Sequence, residues 1–264
     1  MRTPSTFKTL PVVGRATIAV VVAVWLLLPL LPVLVWATAD RWSFPDVLPS
    51  AWGVQGWRGA ADAGLLSALA RSLGLGLAVA AVATPLGVML GRVLGWRLGR
   101  HPRVLVTVLL VPLVLPPFAV SMGLDVLMIR LGLPEPVSVV LLLATLALPY
   151  TAYTSAVGFS RTSPDLAAQA RALGATARQA RARVVLPAIR GPIVVAALLA
   201  FLVGWSDYVV TLLVGGGQLI TAPVLLGSAA AGSGNDAIVA AMAVATLVPP
   251  VLLVTLASRA RMAP

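Results

Sequence analysis

The chain has 264 residues, 59% of them hydrophobic and 10% charged, with a formal net charge of +11. A soluble domain is about half apolar with about a quarter of its residues charged, so composition excludes an ordinary soluble domain. There is no cysteine and a single histidine, His101, in an arginine-rich turn, which excludes disulfides, thiolate chemistry and a histidine metal cluster.

Several apolar stretches reach the ~20 residues that cross a ~30 Å hydrocarbon core as helix. The ~10-residue alternating segments of a β-barrel are absent. The expected fold is an all-α membrane protein with six spans, near 16–38, 65–91, 104–124, 137–159, 191–214 and 237–257. Polar connections fall at 39–64, 92–103, 125–136, 160–190 and 215–236. This divides the chain into a tail 1–15, a first span with its outer connection 16–64, a five-helix core 65–257 and a tail 258–264.

The first apolar run ends at Ala37-Thr38-Ala39, which has the small-x-small form of a signal-peptide cleavage site. The run is longer than the 7–15 residues typical of a signal peptide, so it reads as a retained span. Connection 39–64 holds Trp42, Phe44, Trp52 and Trp57; it reads as an aromatic belt at the headgroup level, with an interfacial segment as the alternative.

Basic residues orient the helices. Arg2, Lys8 and Arg15 precede the first span, and Arg92, Arg97, Arg100 and Arg103 mark the second connection. Arg161, Arg171, Arg178, Arg181, Arg183 and Arg190 mark the fourth, and Arg259 and Arg261 the C-terminal tail. These are 15 of the 19 basic residues; the opposite side has Arg41, Arg58, Arg71 and Arg130. Both termini are therefore expected in the cytoplasm. Asp165 is the only acid on that side, while Asp40, Asp46, Asp62, Asp125, Glu135 and Asp236 lie opposite.

Within the spans, Pro29, Pro32, Pro85, Pro112, Pro116, Pro117, Pro149, Pro249 and Pro250 each remove a backbone donor and favour a kink. Gly87, Gly91, Gly95 and Gly99 recur every four residues on nearly one helix face. The first two are expected to form a close-packing seam, and the last two fall at or beyond the cytoplasmic end.

Segment 160–190 is long for a helix–helix connection, yet its composition favours structure. Ser163 reads as an N-cap, Pro164 as a helix start and Asp165 as a first-turn acid. Residues 165–173 are good helix formers; Gly174 interrupts them, and a second helical run 175–186 ends at Pro187. Leu166, Ala170, Leu173 and Ala177 give the pair a narrow apolar stripe. One reading is a docking knob for a soluble partner. The other is an amphipathic helix on anionic lipid, against which stands the lack of an aromatic anchor.

Here the sequence resembles the EAA loop of binding-protein-dependent ABC importer permeases: E-A-A, three residues, G, a long spacer, L-P and a further proline. Gly174-Ala175 and Leu186-Pro187 match at the family spacing. The triplet falls on Ala168-Gln169-Ala170, so the glutamate is missing, and Pro192 comes one place late. The stretch 205–226, WSDYVVTLLVGGGQLITAPVLL, is similar to the fifth span and outer loop of the polyamine, iron and thiamine-like group.

The resemblance implies a type I ABC importer permease fold in a bacterial inner membrane. It implies that 160–190 couples to a separate ATP-binding subunit through Leu166, Arg171, Leu173, Gly174, Ala175, Arg178, Leu186 and Pro187. The implied partners are ABC ATPase subunits that hold the ATP and Mg, a second permease subunit, like or unlike, and a solute-binding protein. Membrane lipid surrounds the chain, no nucleic acid is expected, and no cofactor is expected on the chain itself.

The chain's only lysine, Lys8, is in no Walker A glycine pattern, and HExxH and GxSxG are absent. An enzymatic role is therefore not expected. One acid, Asp207, falls inside the fifth span between Trp205-Ser206 and Tyr208. A carboxylate there costs several kcal/mol unless paired, hydrated or facing a cavity. Either Trp205, Asp207 and Tyr208 line the translocation pathway, or Asp207 makes a structural hydrogen bond or lies near the outer interface. The alternatives to an importer permease are an ion- or proton-coupled secondary carrier and a membrane assembly factor that transports nothing.

Overall fold

A computed structural model describes residues 12–43, 45–98, 102–232, 234 and 236–262. Arg2, Lys8, Phe44, Gly99, Arg100 and His101 lie outside the described residues. The chain folds as two compact units, one from the residues up to Ala63 with Gly232–Ala245, the other from Gly64–Ala231 with the residues from Thr246 onward.

In the first unit, helices α1 (Val12–Leu27) and α2 (Leu30–Ala37) meet at 45°. The break falls at Leu28-Pro29, where proline supplies no amide to continue the ladder. Connection 39–64 is more than a belt of aromatics. Strands β1 (Ala39–Arg41) and β2 (Ala51–Trp52) pair antiparallel, and helix α3 (Gln55–Asp62) follows. The Asp40 carboxylate ties them together by accepting the Gln55 amide at 2.9 Å. Trp36 and Trp42 stand 4.6 Å apart, and Trp42 Nε1 donates to the Asp46 carbonyl at 2.9 Å.

The second unit is built around α4 (Leu65–Gly95), α7 (Glu135–Ser160) and α11 (Arg190–Ser206). Its core comes from one face of each long helix, with Val79 and Ala83 of α4, Leu143 and Ala147 of α7 and Ala200 of α11 fully enclosed. Small residues set the spacing. A Cβ on Gly91 would lie 2.5 Å from Ser155 Cβ and 2.8 Å from the Ala152 carbonyl, and one on Gly87 would strike the Thr151 side chain. Gly95 belongs to the same seam, since its Cβ would lie 2.6 Å from the Ala156 carbonyl. The seam is thus one turn longer than the span boundaries suggest. Across the other face, Gly204 approaches the Gly76 backbone. Such backbone contact is how membrane helices gain dispersion energy where lipid offers no hydrophobic drive.

The third expected span, 104–124, is not one helix. Helices α5 (Pro102–Val114) and α6 (Pro117–Arg130) are bent by 102° at Leu115-Pro116. Pro116 holds an extended backbone, φ −58° and ψ 130°, and proline drives the residue before it out of the helical region. The fifth span is broken too: α11 stops at Ser206, and α12 runs Val209–Val214. Connection 215–236 contains a nine-residue apolar helix, α13 (Ala222–Ala230). The Ala222 amide donates to Ser72 Oγ of α4 at 2.8 Å. The last helix, α14 (Asp236–Met262), runs through Pro249-Pro250 without a break.

Three helices, α4, α7 and Asp236–Arg259 of α14, are long and apolar enough to cross a membrane. Three bent pairs raise the number to as many as six if each pair is one span. The architecture is therefore mostly helical, as expected.

Candidate functional site

Segment 160–190 forms two short helices joined by an elbow. In α8 (Leu166–Ala172), the cap position falls on Asp165, two residues beyond the expected Ser163, and Ser163 Oγ accepts the Asp165 amide at 3.2 Å. The helix ends in a complete Schellman closure. The Ala175 amide reaches the Ala170 carbonyl at 3.1 Å, and the Gly174 amide reaches the Arg171 carbonyl at 2.9 Å. Gly174 has φ +90°, the left-handed geometry this closure requires.

The second helix starts immediately. Thr176 and Gln179 form a capping box, with the Thr176 amide 2.8 Å from Gln179 Oε1 and the Gln179 amide 3.3 Å from Thr176 Oγ1. T-x-x-Q is a sequence-readable helix start, and it places the cap one residue beyond the expected beginning at Ala175. The helix comprises α9 (Ala177–Ala180), a π-turn Arg181–Val185 and α10 (Leu186–Ala188). Pro187 does not end it. The Leu186 amide already bonds to the Arg181 carbonyl, five residues back. This wider π-turn immediately precedes the ring that an α-helix would force against a carbonyl. The composite helix meets α11 at 78°.

One side of this pair is anchored. Phe159, Val185 and Ile189 form a buried cluster, with Trp96, Ala167, Val88 and Ile193 packed on it. Trp96 stands edge-on to Phe159 at 5.0 Å, donates to the Thr162 carbonyl at 3.2 Å, and carries Arg92 over its ring at 5.1 Å. Spacing points to Leu166 and Ala170 but not to Trp96, Phe159 and Ile189, which no sequence pattern singled out.

The other side is exposed. Leu173 is 90% exposed at the elbow, and Arg171, Gly174, Arg178, Arg181, Arg183 and Pro187 are exposed around it. Leu166, Ala170, Ala175 and Leu186 are half-buried. The expected stripe therefore divides: Leu166 and Ala170 turn inward, while Leu173 and Ala177 face out.

The second set of predicted residues lies at the break between α11 and α12. Asp207 leaves the helical region at ψ 132°. Its Oδ2 accepts the Thr211 amide and hydroxyl, each at 2.8 Å, and its Oδ1 accepts the Val210 amide at 3.4 Å. The carboxylate thus caps the first turn of α12. Trp205 is 4% exposed and stacked on Phe201 at 5.7 Å. Tyr208 is 42% exposed, with its ring against Gly227 of α13. We expect Asp207→Ala to cost about 0.5–2 kcal/mol through the lost cap and Asp207→Asn to cost less. Thermal unfolding in detergent checks the order, and equal losses would contradict it.

No group of three or more His, Asp and Glu that could hold a metal occurs among the described residues.

A family model for the inner membrane component of binding-protein-dependent transport systems matches residues 83–260, which include both the elbow and the 207–208 break. The trehalose transport system permease protein SugB of Mycobacterium tuberculosis (strain CDC 1551 / Oshkosh) is 31% identical over 189 residues, 68% of this chain and 67% of that protein. Permeases of this family work with a separate ATPase. Two short helices held outside an apolar bundle, in a chain whose family depends on a motor it does not contain, fit one assignment: this chain belongs to the binding-protein-dependent ABC importer permeases, and is a multi-pass permease subunit of the bacterial inner membrane.

Proposed function

We propose that segment 160–190 is the coupling element through which a separate ATPase drives this permease. The observation that carries the proposal is the Gly174 elbow: Val185 of its second helix packs with Phe159 and Ile189, at the ends of α7 and α11, while Leu173 stands exposed. Force applied at Leu173 reaches the membrane helices through packed side chains. Leu166, Ala175, Leu186 and Pro187 hold the shape of the elbow, and Arg171, Leu173, Gly174 and Arg178 form its contact face.

In this reading α1–α2, α5–α6 and α11–α12 are each one broken span beside α4, α7 and α14, giving six spans with both termini in the cytoplasm, as the distribution of basic residues favours. The core is residues 65–257, with tails 1–15 and 258–264 and a first span and periplasmic connection at 16–64. Two permease chains, like or unlike, surround the pathway, and two ATPase subunits holding ATP and Mg dock beneath. A solute-binding protein delivers cargo from outside, and ATP closure draws the coupling elements together to turn the pathway outward. The break at Asp207-Tyr208 borders the pathway: Tyr208 faces it, Asp207 holds the corner rigid, and buried Trp205 supports it from behind.

Reconstitution with its ATPase and binding protein in liposomes tests this. Uptake should require ATP and should persist when ion gradients are collapsed; uptake driven by a gradient without nucleotide would refute it. Trehalose, the cargo in the relative's name, is the first solute to offer. A polyamine is the comparison that the resemblance of 205–226 calls for.

A further inference from the structure

The exposed face of the elbow is cationic as well as prominent. Arg171 closes α8, Arg178 opens α9, and Arg181 and Arg183 follow in the π-turn; all four are exposed. The segment's only acid, Asp165, receives a 3.4 Å bond from Ser163 Oγ at the far end of α8. At the triplet position, Ala168 and Gln169 are exposed and uncharged. A partner therefore meets one protruding leucine with arginines on both sides of it and no carboxylate.

Anionic lipid would also attract arginines, but a helix lying on a bilayer needs an apolar face to embed. Here that face is already used, because Ala180, Val185 and Ile189 are buried against the protein. What is left outward is charge plus a single side chain, which suits a pocketed protein surface better than a lipid plane.

Resting on the coupling role proposed above, we propose that the ATPase surface receiving this elbow is acidic: an apolar socket for Leu173 flanked by carboxylates that pair with Arg171 and Arg178. Guanidinium groups suit this because their fork matches a carboxylate in two parallel bonds. The pairing also selects among motors. An ATPase with a basic groove, suited to a permease that presents a glutamate, is repelled here, as like-charge juxtaposition is at other interfaces.

The test uses the intact complex, in its native bilayer and then in detergent, with capture of the ATPase on tagged permease. In Arg171→Glu/Arg178→Glu, capture should fall by about tenfold or more while permease abundance is unchanged. Reversing the facing carboxylates of the ATPase to arginine should restore it. Arg171→Lys/Arg178→Lys should keep part of the binding, and capture by the unaltered permease should weaken as salt rises.

Undiminished capture by the glutamate variant, or rescue by no carboxylate reversal, would overturn the acidic groove yet leave the coupling role intact. A Leu173→Cys thiol shielded from a soluble maleimide in anionic but not neutral vesicles, with the shielding lost in the same arginine reversal and ATPase capture unaffected, would assign the arginines to lipid and overturn it as well. Failure of the unaltered permease to capture any ATPase at low salt is a different result, and it would remove the coupling role itself.

Discussion

Gly91→Val is expected to prevent stable association of α4 with α7 and to deplete the protein from the membrane. Even an alanine Cβ at this position would lie 2.5 Å from Ser155 Cβ and 2.8 Å from both the Ala152 carbonyl and the Ala156 amide. Two of those three atoms are backbone, so no side-chain rotation relieves the clash and the helices must separate. Overpacking of this kind typically costs 1–3 kcal/mol; we expect Gly91→Ala near the upper limit and valine beyond it, because the neighbours cannot yield. Gly74 supplies the control on the same helix. Its added Cβ would meet nothing within 4 Å, so Gly74→Ala should be neutral or stabilise by up to about 1 kcal/mol. Thermal unfolding in detergent reads the contrast: a midpoint about 5–10 °C lower for Gly91→Ala and unchanged or higher for Gly74→Ala. Equal midpoints would mean that the seam is not in backbone contact.

Gly174→Val is expected to abolish ATP-driven uptake while the protein remains folded in the membrane. The two effects separate because a Cβ at Gly174 would also meet nothing within 4 Å. The cost is purely conformational. At φ +90° an ordinary L residue is destabilised by about 1–2 kcal/mol, and a β-branched one by more. The lower-energy alternative is to open the elbow, which breaks the Ala175–Ala170 and Gly174–Arg171 closure and removes Leu173 from its position. Uptake and ATPase capture should therefore decline in the order Gly, Asn, Ala, Val, since asparagine tolerates the left-handed region best. Abundance and thermal midpoint should change little across the series. Full activity in Gly174→Val would show that the elbow geometry is not used.

The three helices long and apolar enough to cross a membrane were legible because a run of about 20 apolar residues matches the hydrocarbon thickness and suits little else in a folded chain. The two-helix form of segment 160–190 was legible too, because Gly174 between two runs of helix formers allows few other geometries. The breaks were less so. Pro85, Pro112 and Pro149 lie inside continuous helices, whereas Pro116 ends one. The same Pro-Pro pair stands at 116–117, where the chain turns by 102°, and at 249–250, where α14 continues. What decides between the two outcomes is whether neighbouring groups take up the freed backbone, and that information is not local. The break at Asp207 is hidden for a related reason. An acid within a span reads equally as a charge facing a cavity or as a structural bond, and its oxygens are directed at the amides of Val210 and Thr211. Leu173 reads as part of an apolar stripe because period alone does not tell which end of a stripe turns inward.

The central claim is that the elbow meets a motor in the cytoplasm, and the absence of cysteine from the chain makes it directly measurable. Leu173→Cys places one thiol at its most exposed point. The account predicts that in intact cells this thiol resists a membrane-impermeant maleimide. It also predicts that in membranes the thiol forms a crosslink to the ATPase subunit through a short bifunctional reagent, blocked when the ATPase is absent. Labelling from outside intact cells, or failure to crosslink in membranes that import cargo with ATP, would contradict it.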